Sequence, residues 1–224
     1  MNAQLARLLQ LASPTLPVGA YAYSQGLEWA VESGAVRDEA STLAWIGDLL
    51  EWNIGRYEVP LLAQMLRACH ANDATLLGDL NAHYLASRES AELRAETLQM
   101  AFSLVRLLDE LGEAGTPALT FIRALEPAYP AIWACAAAAW QIEEDAALTA
   151  YLWSWVENQT MAAIKAVPLG QAAGQRIMLA LGARIAPSVE RARQLSATGY
   201  SNFAPGFAIA CSQHETQYSR LFRS

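Results

Sequence analysis

The strongest constraint on how this chain folds is a stripe of core-type side chains at Leu93, Thr97, Met100, Leu104, Leu107 and Leu111, separated by steps of 4, 3, 4, 3 and 4. Such steps bring every member to one face of a helix, whereas a strand would need a period of two. The spacing predicts a helix with a seam of about three heptads, ended at Gly112. A helix with one apolar stripe is stable only when other elements cover it, so the rest of the chain has to supply them. Composition says what they are: 44 Ala and 31 Leu stand against only 27 Val, Ile and Thr together. Ala and Leu lose little rotamer freedom in a helix, while β-branched residues suit strands. The expected fold is all-α, a single-domain antiparallel helical bundle.

Shorter periodicities place the other helices. Leu5, Leu8, Leu9 and Ala12 mark one over 3–12, broken by Ser13-Pro14 and Pro17-Val18-Gly19. A second begins at Ser24, carries Leu27 and Val31, and stops at Gly34. Leu43, Ile46 and Leu50 mark a third; Val59, Leu62, Leu66 and Cys69 a fourth, turned off at Asn72-Asp73. Leu76, Leu77, Leu80 and Tyr84 precede the seam. Beyond it, Thr116-Pro117 reads as an N-cap with proline in the first helical position. The Ala-rich stretch 131–142 reads as a buried helix, too short to span a membrane. Leu148, Leu152, Trp155 and Val156 begin a helix reaching Ala166, and Pro168 opens one over 171–185 that Pro187 stops or kinks. Gly199, Ser201, Asn202, Pro205 and Gly206 make 196–206 a loop. The organisation expected is an all-helical domain over 1–195, then a loop and a flexible C-terminal partner-binding tail over 196–224.

Acidic residues outnumber basic ones 22 to 15, for a net charge of -7. That balance repels phosphate backbones and argues against nucleic-acid binding. Cys69, Cys135 and Cys211 are far apart and odd in number, so they build no disulfide framework and fit a reducing cytosol. Arg7 and the small-x-small run Ala20-Tyr21-Ala22 imitate a secretion signal, but Gln10, Ser13, Pro14 and Pro17 interrupt the apolar region it needs. The charge-free runs 8–27 and 194–213 hold prolines, glycines and hydroxyl residues, so neither reads as a membrane span. A cytoplasmic chain with no membrane partner is expected.

Catalytic motifs are missing. The run 170–175, GQAAGQ, lacks the lysine of a phosphate-binding loop, and His214-Glu215 is followed by Thr216-Gln217-Tyr218 instead of the second histidine of a zinc protease. No GxSxG occurs. Histidines stand only at 70, 83 and 214, which leaves few general bases, and Glu143-Glu144-Asp145 fits a solvated turn. Cys69 and His70 are adjacent and project about 100° apart on a helix, too far to share an ion without distortion. Cys211 and His214 face the same way if helical, yet two ligands do not close a metal site. Packing is the expected role of Cys211 and a surface or interface position that of His214; a site shared across a dimer stays open. No catalytic residue, metal or cofactor is expected.

The unusual segment is 12–34, ASPTLPVGAYAYSQGLEWAVESG. Two prolines and Gly19 fix a turn, and Tyr21, Tyr23, Gln25, Glu28 and Trp29 follow at once. Such aromatics either pin a loop to the core or offer large contact area with a polar end to a partner. Four stretches together, 11–34, 88–96 (RESAELRAE), 154–174 around AAIKAVPLGQAAG, and 214–224 (HETQYSRLFRS), resemble the F-type urease accessory proteins (UreF). The likeness extends over nearly the whole chain, although 112–148 carries no matching signature. It implies an all-α protein that forms a homodimer and binds a D-type (or H-type) accessory scaffold and a G-type GTPase. Together these would deliver nickel to urease apoprotein, the GTPase supplying the chemistry. It also implies partner-binding roles for Tyr23, Ser24, Gln25, Glu28, Lys165, His214, Tyr218 and Arg220, with Glu28 and Lys165 on the GTPase-facing surface and Arg220 in a tail that meets the scaffold. Lys165 is the single lysine among 15 cationic side chains. Two other readings stand beside this one: an enzyme built on Cys211, His214 and Glu215, and a generic helical interaction module with no part in metal delivery.

Overall fold

Each apolar periodicity becomes a helix in the computed structural model, which describes residues 2–224. In chain order these are α1 (Asn2–Leu11), α2 (Leu27–Glu32), α3 (Glu39–Leu49), α4 (Val59–Ala71), α5 (Ala74–Ala86), α6 (Ala91–Glu110), α7 (Pro117–Ile122), α8 (Tyr129–Ala139), α9 (Glu144–Ala166), α10 (Gln171–Gln194) and α11 (Pro205–His214). No strand occurs among the described residues, and the all-α class holds. Several starts are fixed by side-chain oxygens that accept the otherwise unpaired amides of a first turn. Asp38 accepts from Ser41 N at 2.8 Å, Asp73 from Leu76 N at 3.0 Å, and Ser90 from Leu93 N at 3.1 Å. Thr116 caps α7 as its sequence predicts.

The centre is α8, buried at every position from Tyr129 to Ala137 and packed between α4 and α6. Its alanines let neighbouring backbones approach, and Trp133 fills the space left, edge-on to Tyr151 of α9 with ring centroids 5.1 Å apart. Long α9 and α10 pack on each other, and α1 lies on α9. Two of the three cysteines meet here: Cys69 and Cys135 hold their sulfurs 3.5 Å apart as free thiols.

Four local features differ from the sequence reading, each for a physical reason. On α6 the buried stripe runs through Leu93, Thr97, Met100 and Leu104 and then passes to Leu108 at 1% exposure, leaving Leu111 at 46%. Leu111 is the C-cap of α6 and lies beyond its last turn, while Leu107 is left half-buried at the edge of the stripe. Residues Leu50–Glu58 form a π-helical segment that joins α3 to α4 without a break. Pro187 does not stop α10, which continues to Gln194 with Ile185, Val189 and Ala192 buried on either side of it. Finally, the C-terminal segment is docked, not loose. Pro205 occupies the first turn of α11, where its missing N–H costs nothing, and Phe222 and Ser224 are buried against the body of the protein.

Candidate functional site

The two ends of the chain meet at one place. Gln25 and Gly26 have φ of 52° and 74°, and these consecutive left-handed residues swing the chain so that the amides of Ser24 and Gln25 point the same way. Both donate to Ser224 O, at 2.6 and 3.0 Å. The Ser24 hydroxyl donates to the same oxygen at 2.6 Å. Only glycine fits at 26: a Cβ there would stand 2.9 Å from the amide nitrogen of Cys211 and 3.0 Å from its sulfur, so α11 rests directly on the turn that opens α2.

Glu28, in the first turn of α2, holds the returning segment. Its Oε1 accepts the Leu221 amide at 2.6 Å and its Oε2 the Phe222 amide at 3.0 Å. Phe222 then enters a small apolar cluster with Leu27, Ala30, Val36, Ala162, Ala163 and Val167. Lys165 Nζ lies 5.7 Å from the Phe222 ring centroid, within cation–π range. His214 ends α11 with its ring between two acids: Nδ1 is 2.6 Å from Glu92 Oε2 and Nε2 3.3 Å from Glu28 Oε2. Arg220 pairs with the other oxygen of Glu92 at 2.6 Å.

Beneath this clasp the polar network continues inward. The Ser224 hydroxyl and Gln25 Nε2 each donate to Glu96 at 2.7 Å, and Trp155 Nε1 donates to Gln25 Oε1 at 2.8 Å. Burial raises the Glu96 carboxyl to about 7, against the hydrogen bonds from Ser224 and Gln25 that favour its charged form. A cavity of about 280 Å³ adjoins it, its lining running from exposed Tyr21, Met161 and Lys165 to buried Glu58, Tyr129 and Tyr151. The π-helical segment turns Glu58 into this space, where it accepts from the hydroxyls of Tyr84, at 2.9 Å, and Tyr151, and pairs with Arg88 at 3.5 Å.

The residues singled out in the sequence therefore divide. Tyr23, Ser24, Gln25, Glu28 and His214 gather around the docked segment, but Glu28 is only 7% exposed and His214 0%. Neither presents a surface to a partner as the chain stands, which corrects the expected surface position of both. Tyr218 is fully exposed, Arg220 is partly covered by Glu92, and Lys165 is exposed. Cys211 is buried against Gly26, and burial pushes its thiol well above the ordinary range; a buried neutral thiol is a poor nucleophile and a poor ligand. Among the described residues, no group of three or more His, Cys, Asp or Glu side chains is placed to hold a metal ion. No helix among them is long and apolar enough to cross a membrane. Glu92 and Glu96 were missed. The signal for them was present, since each adjoins a position of the α6 seam, Leu93 and Thr97, and a carboxylate at such an edge needs a specific partner.

Comparison with known proteins extends the likeness over almost the full length. A family model described as UreF matches residues 36–182. The chain is 61% identical over 223 residues to the urease accessory protein UreF of Dechloromonas aromatica (strain RCB), covering 99% of this chain and 98% of that one. Identity to the urease accessory protein UreF of Azoarcus sp. (strain BH72) is 59%, over 98% of this chain and 95% of the relative. A bifunctional urease accessory protein UreEF of Bordetella bronchiseptica is 49% identical over 99% of this chain, which spans 52% of that longer protein.

Proposed function

Since the chain belongs to the UreF family of urease accessory proteins, with the part in urease maturation that the family name carries, we propose that it works by binding other accessory proteins. In this reading a cytoplasmic homodimer binds the D/H-type scaffold through the terminal segment and recruits and regulates the G-type GTPase beside Lys165, so that nickel enters urease apoprotein. One observation carries it: the segment from His214 to Ser224 is clasped onto α2, with Tyr218 and Leu221 left exposed and Lys165 set over Phe222. A clasp of this kind stiffens an aromatic and aliphatic surface before any partner arrives, which lowers the ordering cost of association. It also joins Lys165 and Tyr218 through one docked segment, so occupation of one surface can affect the other. The UreEF relative, whose name joins two accessory functions in one chain, supports a working place among accessory proteins.

The test is capture of purified scaffold and GTPase by the full-length protein, followed by urease activation with nickel. Tyr218→Ala removes a fully exposed aromatic and should weaken scaffold binding by about 2 kcal/mol, roughly thirty-fold, with unchanged melting temperature. Lys165→Ala should lower GTPase capture and leave scaffold binding intact. If both variants capture both partners normally and activate urease fully, the surface is not the contact.

A further inference from the structure

Cys69 and Cys135 are 66 residues apart in the chain, yet α4 and α8 bring their sulfurs to 3.5 Å, one thiol donating to the other. A disulfide holds its sulfurs at about 2.05 Å, so the pair has only about 1.5 Å left to close. The surroundings allow that movement. Along α8, Cys135 is flanked by Ala131, Ala134, Ala136, Ala138 and Ala139, whose methyl groups leave its side chain room to turn. On α4 the residue one turn before Cys69 is Met65, an unbranched chain that adapts to a neighbour's shift. The two cysteines differ in access. Cys135 sits in the middle of α8 at 1% exposure, and its hydrogen bond to Cys69 and its burial keep it a neutral thiol. Cys69 lies in the last turn of α4, which ends at Ala71 and passes through the left-handed Asn72 into an exposed turn. Helix ends open locally at far lower cost than helix centres, so Cys69 is the sulfur that a dissolved reagent reaches. Cys211 stands apart, packed against Gly26. A metal ion on the pair would lack the further ligands a closed site needs, since no third His, Cys, Asp or Glu joins it among the described residues. A disulfide needs none and buries no charge.

We propose that Cys69 and Cys135 form an oxidative modification site whose co-reactant is a small hydroperoxide and whose product is a disulfide tying α4 to α8. As the helix end opens, the Cys69 sulfur gives its proton to water and attacks the terminal peroxide oxygen. The O–O bond breaks, and the alcohol (water, for hydrogen peroxide) leaves after regaining a proton. Cys69 is then a sulfenic acid. The Cys135 sulfur attacks the Cys69 sulfur; the S–S bond forms, the S–O bond breaks, and hydroxide leaves as water with the Cys135 proton. Two electrons pass from the sulfur pair to the peroxide. Because the resolving thiol is already in contact, this second step outruns further oxidation of Cys69. Both cysteines belong to the main core and not to the cluster around Phe222, so the link hardens the body and leaves the terminal segment as it is. The site belongs to the isolated chain and is independent of the partner-binding reading above.

The experiment treats the folded, full-length protein with hydrogen peroxide, quenches it, unfolds it in excess alkylating reagent and maps it by mass spectrometry without reduction. The expected product is one Cys69–Cys135 link per chain, its mass lower by two hydrogens, with Cys211 alkylated and dithiothreitol reversing the change. The melting temperature of the linked protein should rise by roughly 5–15 °C, since a link across 66 residues restricts the unfolded chain. In Cys135→Ala, dimedone should trap a sulfenic acid at Cys69, and in Cys69→Ala the remaining Cys135 should stay unmodified at the same exposure. The proposal is overturned if no link forms or it forms only in urea, if Cys211 oxidises ahead of the pair, or if the linked protein melts below the reduced one. Those three outcomes are read on the natural sequence, so a variant that fails to fold leaves the test intact.

Discussion

Glu28 uses both of its oxygens inside the chain, on the amides of Leu221 and Phe222 and on His214. Truncating a buried acceptor of this kind ordinarily costs about 1–3 kcal/mol for each donor left unpaired. Here the loss has a ceiling, because the donors can reach water as soon as the segment leaves. Glu28→Ala is therefore expected to free residues 215–224 and to lower the melting temperature by no more than removal of that segment does, with the helical core still folded. Exchange of the Leu221 and Phe222 amides should approach that of an unprotected peptide, whereas a variant that keeps them protected would mean the anchor lies elsewhere. Partner binding by Glu28→Ala should fall for the indirect reason that the surface is no longer shaped. Glu96 makes a different prediction. Its carboxyl is raised by burial from 4.5 to about 7, so the folded protein holds a proton that the unfolded chain has given up. That contribution is complete below about pH 4.5, declines as pH rises, and is gone above about pH 7, a loss on the order of 3 kcal/mol. Urea denaturation across this window should show stability falling with pH in the natural protein and a flatter profile in Glu96→Gln.

At the level of elements, the π-helical segment decides where Glu58 points. One residue more per turn than an α-helix allows shifts everything after Leu50, and the shift carries Glu58 inward to Tyr84, Tyr151 and Arg88. A Cβ on Gly55 would stand 2.6 Å from Leu50 O, so the segment tolerates no side chain there. Gly55→Ala should destabilise the protein by about 1–3 kcal/mol through backbone displacement, read as a lower urea midpoint with unchanged slope. The π segment was not legible in the sequence, because Leu43, Ile46 and Leu50 and then Val59 and Leu62 fit two ordinary helices and the extra residue between them leaves no periodic trace. The α6 seam was legible as a helix and misjudged only near its end, where Leu108 is buried in place of Leu107 and Leu111 stands at the C-cap, a boundary that periodicity alone does not mark. The terminal clasp was half legible. Its aromatic and polar residues stood out at both ends of the chain, but nothing local to either end states that they bind each other. Glycine and proline around 199–206 signal a change of direction, and the direction taken is back onto α2.

Over the whole molecule, the core of α4, α6, α8 and α9 stands apart from the clasp, whose apolar content is the small cluster around Phe222. Deleting residues 215–224 should therefore keep far-ultraviolet circular dichroism strongly helical while lowering the melting temperature by roughly 5–10 °C, the effect of uncovering one buried Phe and its neighbours. Collapse of the helical signal would show instead that the clasp is needed for the core. The clasp also has a schedule. Ser24 and the oxygen it binds are 200 residues apart, and a ribosome adding about 5–20 residues per second needs roughly 10–40 s to bridge that distance. For all that time the amides of Ser24 and Gln25 and the carboxylate of Glu28 wait in water, while the helices between them are already free to pack. The clasp therefore closes late, onto helices that have already had time to pack, so the two ends meet on a finished body and take no part in building it.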